Sequence, residues 1–292
     1  MQQTFEVQKI KARVKRRAAI RKGFSYVLLA VGAIMMIAPF MWMVTTSLSD
    51  PSEVWREKEF WWQGWVPVQF MWKNYIEAAA AVPFWRFYFN SILVTVLTTL
   101  GVVTTSSLAG YAFSRLQFPG RDKIFLAYLA TLMIPGAVTM IPVFILLREL
   151  GWVDTYKALV LPGVFTAYGT FMLRQFFMTL PRELEEAAKI DGCSLFGIYF
   201  RIILPLSQPA LATLTVFTFM GSWMNFMWPL IVTTSQEMYT LPVGLSYFQS
   251  LYTTDWTLLM AASVMTIVPI LIVFAFAQRY FVEGIKLSGI KG

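Results

Sequence analysis

Residues 87–114, FYFNSILVTVLTTLGVVTTSSLAGYAFS, contain no Asp, Glu, Lys or Arg, and an arginine closes the run at each end, Arg86 and Arg115. A helix crosses the hydrocarbon core of a bilayer with about 20 mostly apolar residues, so this stretch is long enough to span one. Gly101, Thr105 and Ala109 recur every fourth residue, which gives the helix one face small enough for a neighbour to approach closely.

Uncharged runs of the same kind cover 23–49, 124–147, 158–173, 202–236 and 256–278. The shortest, 158–173, extends through Phe176, Phe177 and Met178 if Arg174 and Gln175 reach toward the head groups. The chain therefore reads as an all-α, polytopic membrane protein with six transmembrane helices. Composition agrees. Of 292 residues, 57% are hydrophobic and 14% charged, with a mean hydropathy of +0.60, outside the balance of a soluble domain.

The net charge of +8 raises the question of nucleic acid, and its distribution answers it. If the N-terminus is cytoplasmic, the inner segments are 1–22, 115–123, 174–201 and 279–292, and they hold 18 of the 24 basic residues. They hold only 7 of the 16 acidic ones. The basic excess is thus an orientation signal that places both termini in the cytoplasm, and no nucleic acid partner is implied. The arm 1–22, with Lys15, Arg16, Arg17, Arg21 and Lys22 at its end, suits anionic membrane lipid. The run after it, 23–49, exceeds the roughly 7 to 15 residues of a signal peptide's apolar core, so it reads as a retained anchor.

There is no histidine and one cysteine, Cys193. This excludes histidine acid–base chemistry, a Cys/His zinc site and an internal disulfide. No metal site and no catalytic residue is expected. The spans also lack ionisable groups in their interiors, whereas ion-coupled carriers generally place such groups near mid-membrane. The driving energy is therefore expected from a partner. Pro135, Gly136, Pro142, Pro162, Gly163, Pro205, Pro209, Gly221, Pro229 and Pro269 permit kinks within the spans. Between the first two spans, Trp55, Trp61, Trp62, Trp65, Trp72 and Trp85 mark an outer segment. Such rings either stack on sugars or form an interfacial aromatic belt.

The longest inner loop is 179–205, TLPRELEEAAKIDGCSLFGIYFRIILP. Pro181 suits the first turn of a helix, and Glu183, Glu185 and Glu186 put negative charge near its positive end. Gly192 is a natural C-terminal breaker. Ser194 can cap a second helix carrying Leu195, Phe196, Tyr199 and Ile202 or Ile203 at three- and four-residue spacing, until Pro205 interrupts it. At the elbow Ala187, Ala188 and Gly192 offer little bulk, so the helix can sink into a groove of another protein with the carboxylates at its rim. An inner-surface hairpin that touches only lipid is the alternative.

The pattern Glu186-Ala187-Ala188, three residues, Gly192, nine residues, Ile202, one residue, Leu204-Pro205 resembles the EAA loop of permease subunits of ATP-binding-cassette importers. Phe118 to Asp122, Leu132 to Gly136, Leu173 to Phe177 and Leu204 to Pro209 are similar to the carbohydrate branch, in particular the maltose-type second permease. The resemblance covers nearly the whole chain from about residue 84. It implies the type I ABC importer permease fold in the bacterial inner membrane. A first helix and outer segment (23–85) would precede a five-helix core (86–279) and a cytoplasmic tail (280–292).

It further implies that Glu186, Ala187, Ala188, Asp191, Gly192, Leu195 and Phe196 couple to the ATPase, and that the tail residues Ser288, Gly289, Lys291 and Gly292 touch it. The implied partners are a second homologous permease, two cytoplasmic ABC ATPases that hold ATP and Mg, an extracytoplasmic solute-binding protein and an oligosaccharide substrate. The chain itself would hold no cofactor and be no enzyme; the nearest approach to a P-loop, Gly284 to Gly289, has Ile290 where the lysine belongs. Trp223, Asn225 and Thr105 are candidates for the translocation pathway, although Trp223-Met224-Asn225-Phe226 lacks the acidic residue the family often carries there. An acidic oligosaccharide such as alginate, or a polyol phosphate, is the alternative cargo. An ion-coupled secondary transporter is the competing class.

Overall fold

In the computed structural model, residues 2–54, 64–249 and 254–289 are described, with side chains except at 2–14, 16, 18 and 279–289. The helices in chain order are α1 (Gln2–Ser47), α2 (Pro51–Val54), α3 (Lys73–Ala81), α4 (Phe84–Arg115), α5 (Arg121–Ala130), α6 (Gly136–Glu149), α7 (Tyr156–Val160) and α8 (Ala167–Thr179). There follow α9 (Glu183–Ile190), α10 (Leu195–Ile198), a π turn (Tyr199–Ile203), α11 (Leu204–Leu206), α12 (Gln208–Trp223), α13 (Met227–Val232), α14 (Leu241–Leu245) and α15 (Trp256–Gly289). The chain divides into two compact units, Met1–Ile76 with Thr254–Val264, and Glu77–Thr253 with Met265–Gly292.

In the first unit α1 carries the predicted 23–49 run, and its side chains from Ile20 to Val44 are largely exposed, as a lipid-facing helix requires. The carbonyl of its last residue, Ser47, accepts from the Asn74 amide at 3.0 Å, and the same amide donates to the Ser49 carbonyl just beyond the helix at 2.9 Å. Trp65 and Trp72 are exposed, while Trp55, Trp61 and Trp62 lie outside the described residues.

In the second unit α4 is the central element and packs on α8 and α12. The small face read from the sequence is where α4 meets its neighbours. A Cβ on Gly101 would lie 2.6 Å from Val164 Cγ1, so any larger residue there must displace Val164.

Among the described residues, three helices are long and apolar enough to cross a membrane: 19–47, 84–115 and 256–278. Two further expected spans correspond to bent pairs, 121–133 with 136–149 (99°) and 195–206 with 208–223 (78°), and the expected 202–236 run breaks again at 224–226 before α13. The bends fall beside Pro135 and between Pro205 and Pro209, where ring nitrogens donate no hydrogen bond. The expected 158–173 span departs most from a single helix. It is α7, a 3-10 turn (Leu161–Gly163) and α8, separated at Val164–Thr166. Pro162 has no N–H for the Ala158 carbonyl, which accepts from Trp228 Nε1 at 2.9 Å, and in the break itself Thr105 of α4 donates to the Val164 carbonyl at 2.6 Å. Arg174, expected to reach toward the head groups, instead folds back, its guanidinium 4.2 Å from the Phe125 ring centre and its Nε donating to the Phe113 carbonyl.

Candidate functional site

The 179–205 loop forms the expected two helices about an elbow. Glu183, Glu185 and Glu186 occupy the first turn of α9 and Lys189 the last, each matched to the helix dipole. Gly192 has φ +80°, Cys193 N–H donates to the Ala188 carbonyl (2.9 Å) and Gly192 N–H to that of Lys189 (3.0 Å). This paired termination needs a residue at ease with positive φ. Two residues on, Ser194 Oγ accepts from Gly197 N–H at 3.1 Å and starts α10.

The loop's two faces differ from the sequence expectation in one respect. Glu186, Ala187, Asp191, Gly192, Leu195 and Phe196 are exposed, but Ala188 is buried in the core and Glu185 turns inward rather than rimming the surface. Large apolar side chains stand out instead, Ile190 at 87% and Phe196 at 69% exposure. The π turn accounts for the second helix's register: its wider winding buries Ile198, Tyr199 and Ile203 while Leu195, Phe196 and Phe200 face outward.

The inward face is tied to α4. Tyr199 and Ser107 share a hydroxyl hydrogen bond of 2.6 Å, and Tyr111 donates to the Leu195 carbonyl at 3.4 Å. Arg115 Nε lies 2.9 Å from Glu185 Oε1, with side-chain exposures of 3% and 8%. Arg115 Nη2 donates to the carbonyls of Phe177 and Leu180. Sequence reading missed this pair. The available signal was a basic residue closing a long uncharged run, and an acid beside the loop's motif.

Toward the other end of α4 is a cavity of about 620 Å³. Its α4 wall is Ser91, Val94, Thr95, Thr98 and Val102, one helical face, opposed by Thr139, Thr166, Thr218, Ser222 and Asn225 and by aromatic Tyr168, Phe217 and Trp228. None of its lining residues is Asp, Glu, Lys or Arg. The hydroxyls of Thr98 and Thr240, on lining residues, find no protein partner. Of the pathway candidates, Asn225 lines this cavity and the other two do not. Thr105 is spent on Val164, and Trp223, at 1% exposure, donates to the Thr266 carbonyl (3.0 Å) and lies parallel to Phe219.

Contacts at the two ends of α4 sort the loops. Near its start, Asn90 Nδ2 donates to the carbonyls of Glu237 (2.7 Å) and Tyr239 (2.8 Å), and Arg86 to that of Glu237. Asp154 there has φ 61°, and its Oδ1 accepts from the backbone of Thr234 (2.9 Å) and Ser235 (3.1 Å). Burial pushes its carboxyl up, but the hydrogen bonds from Ser235 and Thr234 outweigh it and hold the group below its ordinary range. Near the end of α4 lie the 179–205 loop and the Arg121–Asp122 pair. Ser288 and Gly289 end α15, whereas Lys291 and Gly292 lie outside the described residues. Among the described residues no cluster of His, Cys, Asp or Glu could hold a metal ion.

Residues 101–287 match the family described as binding-protein-dependent transport system inner membrane component. The chain is 43% identical over 209 residues to the arabinooligosaccharides transport system permease protein AraQ of Halalkalibacterium halodurans, covering 72% of this chain and 75% of that protein. It is 34% identical over 267 residues to the sn-glycerol-3-phosphate transport system permease protein UgpE of Yersinia enterocolitica, covering 90% and 95%. Among solved structures it resembles a chain of a bacterial ABC transporter involved in the import of the acidic polysaccharide alginate, with TM-score 0.80, 25% identity, and 90% and 96% of the two chains covered.

Proposed function

Because the chain belongs to the family of binding-protein-dependent transport system inner membrane components, we propose that it is one of two homologous permease subunits of an ATP-binding-cassette importer for a carbohydrate. The observation that carries the reading is the elbow at Gly192: a capped, exposed apolar knuckle hydrogen-bonded to the helix that also lines the cavity. Two cytoplasmic ATPases, which hold ATP and Mg, grip Glu186, Ala187, Asp191, Leu195 and Phe196. The tail at 288–292 reaches between them. ATP closes the ATPase dimer, the elbows of both permeases move together, and the bundles rock between inward- and outward-open packings.

The cavity forms this chain's half of the pathway, and a binding protein outside the membrane delivers the cargo. In the bacterial inner membrane the chain crosses six times with both termini cytoplasmic, each bent pair and the α7–α8 pair counting as one crossing. The end of α4 at Arg115 then faces the cytoplasm and the end at Asn90 the exterior. The loops that meet at either end of α4 are ones that alternating spans place on one side, which supports the grouping, and the basic excess then sets the orientation.

Hydroxyls and aromatic faces suit a neutral oligosaccharide, whereas a carboxylate or phosphate would find no basic partner on this chain's cavity wall. An acidic oligosaccharide or polyol phosphate is the second reading, favoured by the names of the alginate and glycerol-phosphate neighbours. Uptake should be measured in proteoliposomes containing both permeases and the ATPases, with loaded binding protein outside and ATP inside. Uptake should need ATP and be unchanged by a proton uncoupler, and collapse with the uncoupler would favour an ion-coupled carrier.

A further inference from the structure

A single helix connects cavity and elbow. α4 runs 32 residues without an internal proline, about 48 Å at the rise of an α-helix, from the cavity wall at Ser91–Val102 to Arg115. Ser107, Tyr111 and Arg115 recur every fourth residue and turn one face to the loop. The first two make single hydrogen bonds between neutral groups. Arg115 does more: one guanidinium meets the last carbonyls beside α8, Phe177 and Leu180, and the carboxylate of Glu185 in the first turn of α9. It closes the corner through which α8 turns into the elbow.

We infer that Arg115 and Glu185 are positioning residues that lock the angle of the coupling helix α9 to the cavity-lining helix α4, so that nucleotide-driven displacement of the elbow turns the pathway wall rather than the elbow alone. The inference rests on the reading of the 179–205 loop as the ATPase joint. Its physical ground is burial. A charge pair with both side chains more than nine-tenths buried is screened little by salt, and separating it leaves an uncompensated charge in a poor solvent. The planar guanidinium holds the Phe177 and Leu180 carbonyls through Nη2 while setting its charge against Glu185, a geometry that a lysine ammonium does not reproduce. Hinging at this corner therefore breaks several bonds together, whereas moving α4 with α9 breaks none. Glu185 differs in this from its neighbour Glu186, which is exposed and free to meet the ATPase.

The test is the Arg115→Gln/Glu185→Gln double variant in the complete importer, scored by the ratio of ATP hydrolysis with loaded binding protein to hydrolysis without it. Replacing both partners removes the charge pair without stranding either charge, so the complex should assemble, its thermal midpoint lowered only by the bonds to the Phe177 and Leu180 carbonyls that Gln does not remake. The stimulation ratio should nevertheless fall at least about five-fold, the effect of roughly 1 kcal/mol of lost coupling. A parental ratio and parental uptake in the double variant would reduce the pair to a stabiliser of the fold and overturn the inference.

If the double variant does not assemble, Arg115→Lys decides: it keeps the charge and loses the planar geometry. The inference then requires a reduced ratio, and a parental ratio overturns it. The underlying reading fails separately. Phe196→Glu, on the exposed face, should release the ATPases from tagged permease, and their full retention would count against the joint itself while leaving the double variant's result to stand for the pair.

Discussion

Asp154 shows how one side chain can hold two loops in register. It sits at φ 61°, a conformation that Asp visits more readily than most residues, and its carboxylate gathers two backbone N–H groups from the segment 80 positions further on. Because its folded pKa lies below the unfolded value of about 3.9, its contribution to stability is complete above that value and is lost as pH falls through the folded pKa. Asp154→Asn should therefore cost about 1 kcal/mol at neutral pH and flatten the acid limb of the stability profile, as read by thermal unfolding in detergent between pH 7 and pH 3. An unchanged acid limb would show that the carboxylate does not carry the clamp. Nothing in the local sequence announces Asp154, since its partners are backbone groups far along the chain. Gly192 and Ser194 were legible for the opposite reason: a positive-φ breaker and a cap act on their immediate neighbours.

At the scale of elements, length and the absence of charge were enough to locate the long helices at 84–115 and 256–278, because those properties are what a bilayer selects. The same criterion treated 158–173 as one helix and could not see the break at Val164–Thr166, which is stabilised from outside by Thr105. It also missed the bends, since prolines permit a kink without fixing its angle: Pro142 and Pro269 lie inside continuous helices while Pro135 sits at a 99° turn. The close seam between α4 and this break gives a direct check. Gly101→Val would drive a branched side chain into Val164, and the overpacking should destabilise the second unit by about 1–3 kcal/mol. Gly101→Ala, which adds the same Cβ alone, should cost less. Equal midpoints for parent and Gly101→Val in a thermal unfolding assay would contradict the seam.

For the whole molecule, the alternation of spans read from the sequence and the hydrogen-bond pattern group the same loops together. They meet at the matching ends of α4, with Asn90 and Asp154 at one and Arg115 with Glu185 at the other. The two helices of the 179–205 loop were legible because their start and stop signals are local, whereas the inward turn of Glu185 and Ala188 depends on which residues α4 presents. The cavity was legible only in kind, as polar side chains on apolar spans. Thr105 and Asn225 look alike in sequence, and only packing assigns one to a carbonyl and the other to the cavity wall.

The central claim, that the elbow beneath the membrane is gripped by a nucleotide-hydrolysing partner, is tested most directly by site-specific cross-linking. With the single native thiol removed by Cys193→Ser and a new one introduced by Ala187→Cys, a short cross-linker applied to inside-out vesicles of the assembled importer should join this chain to the ATPase. The yield should change when ATP is bound. Labelling of position 187 only by reagents confined to the exterior, or a thiol that reacts with lipid-phase probes and never with the ATPase, would contradict the account.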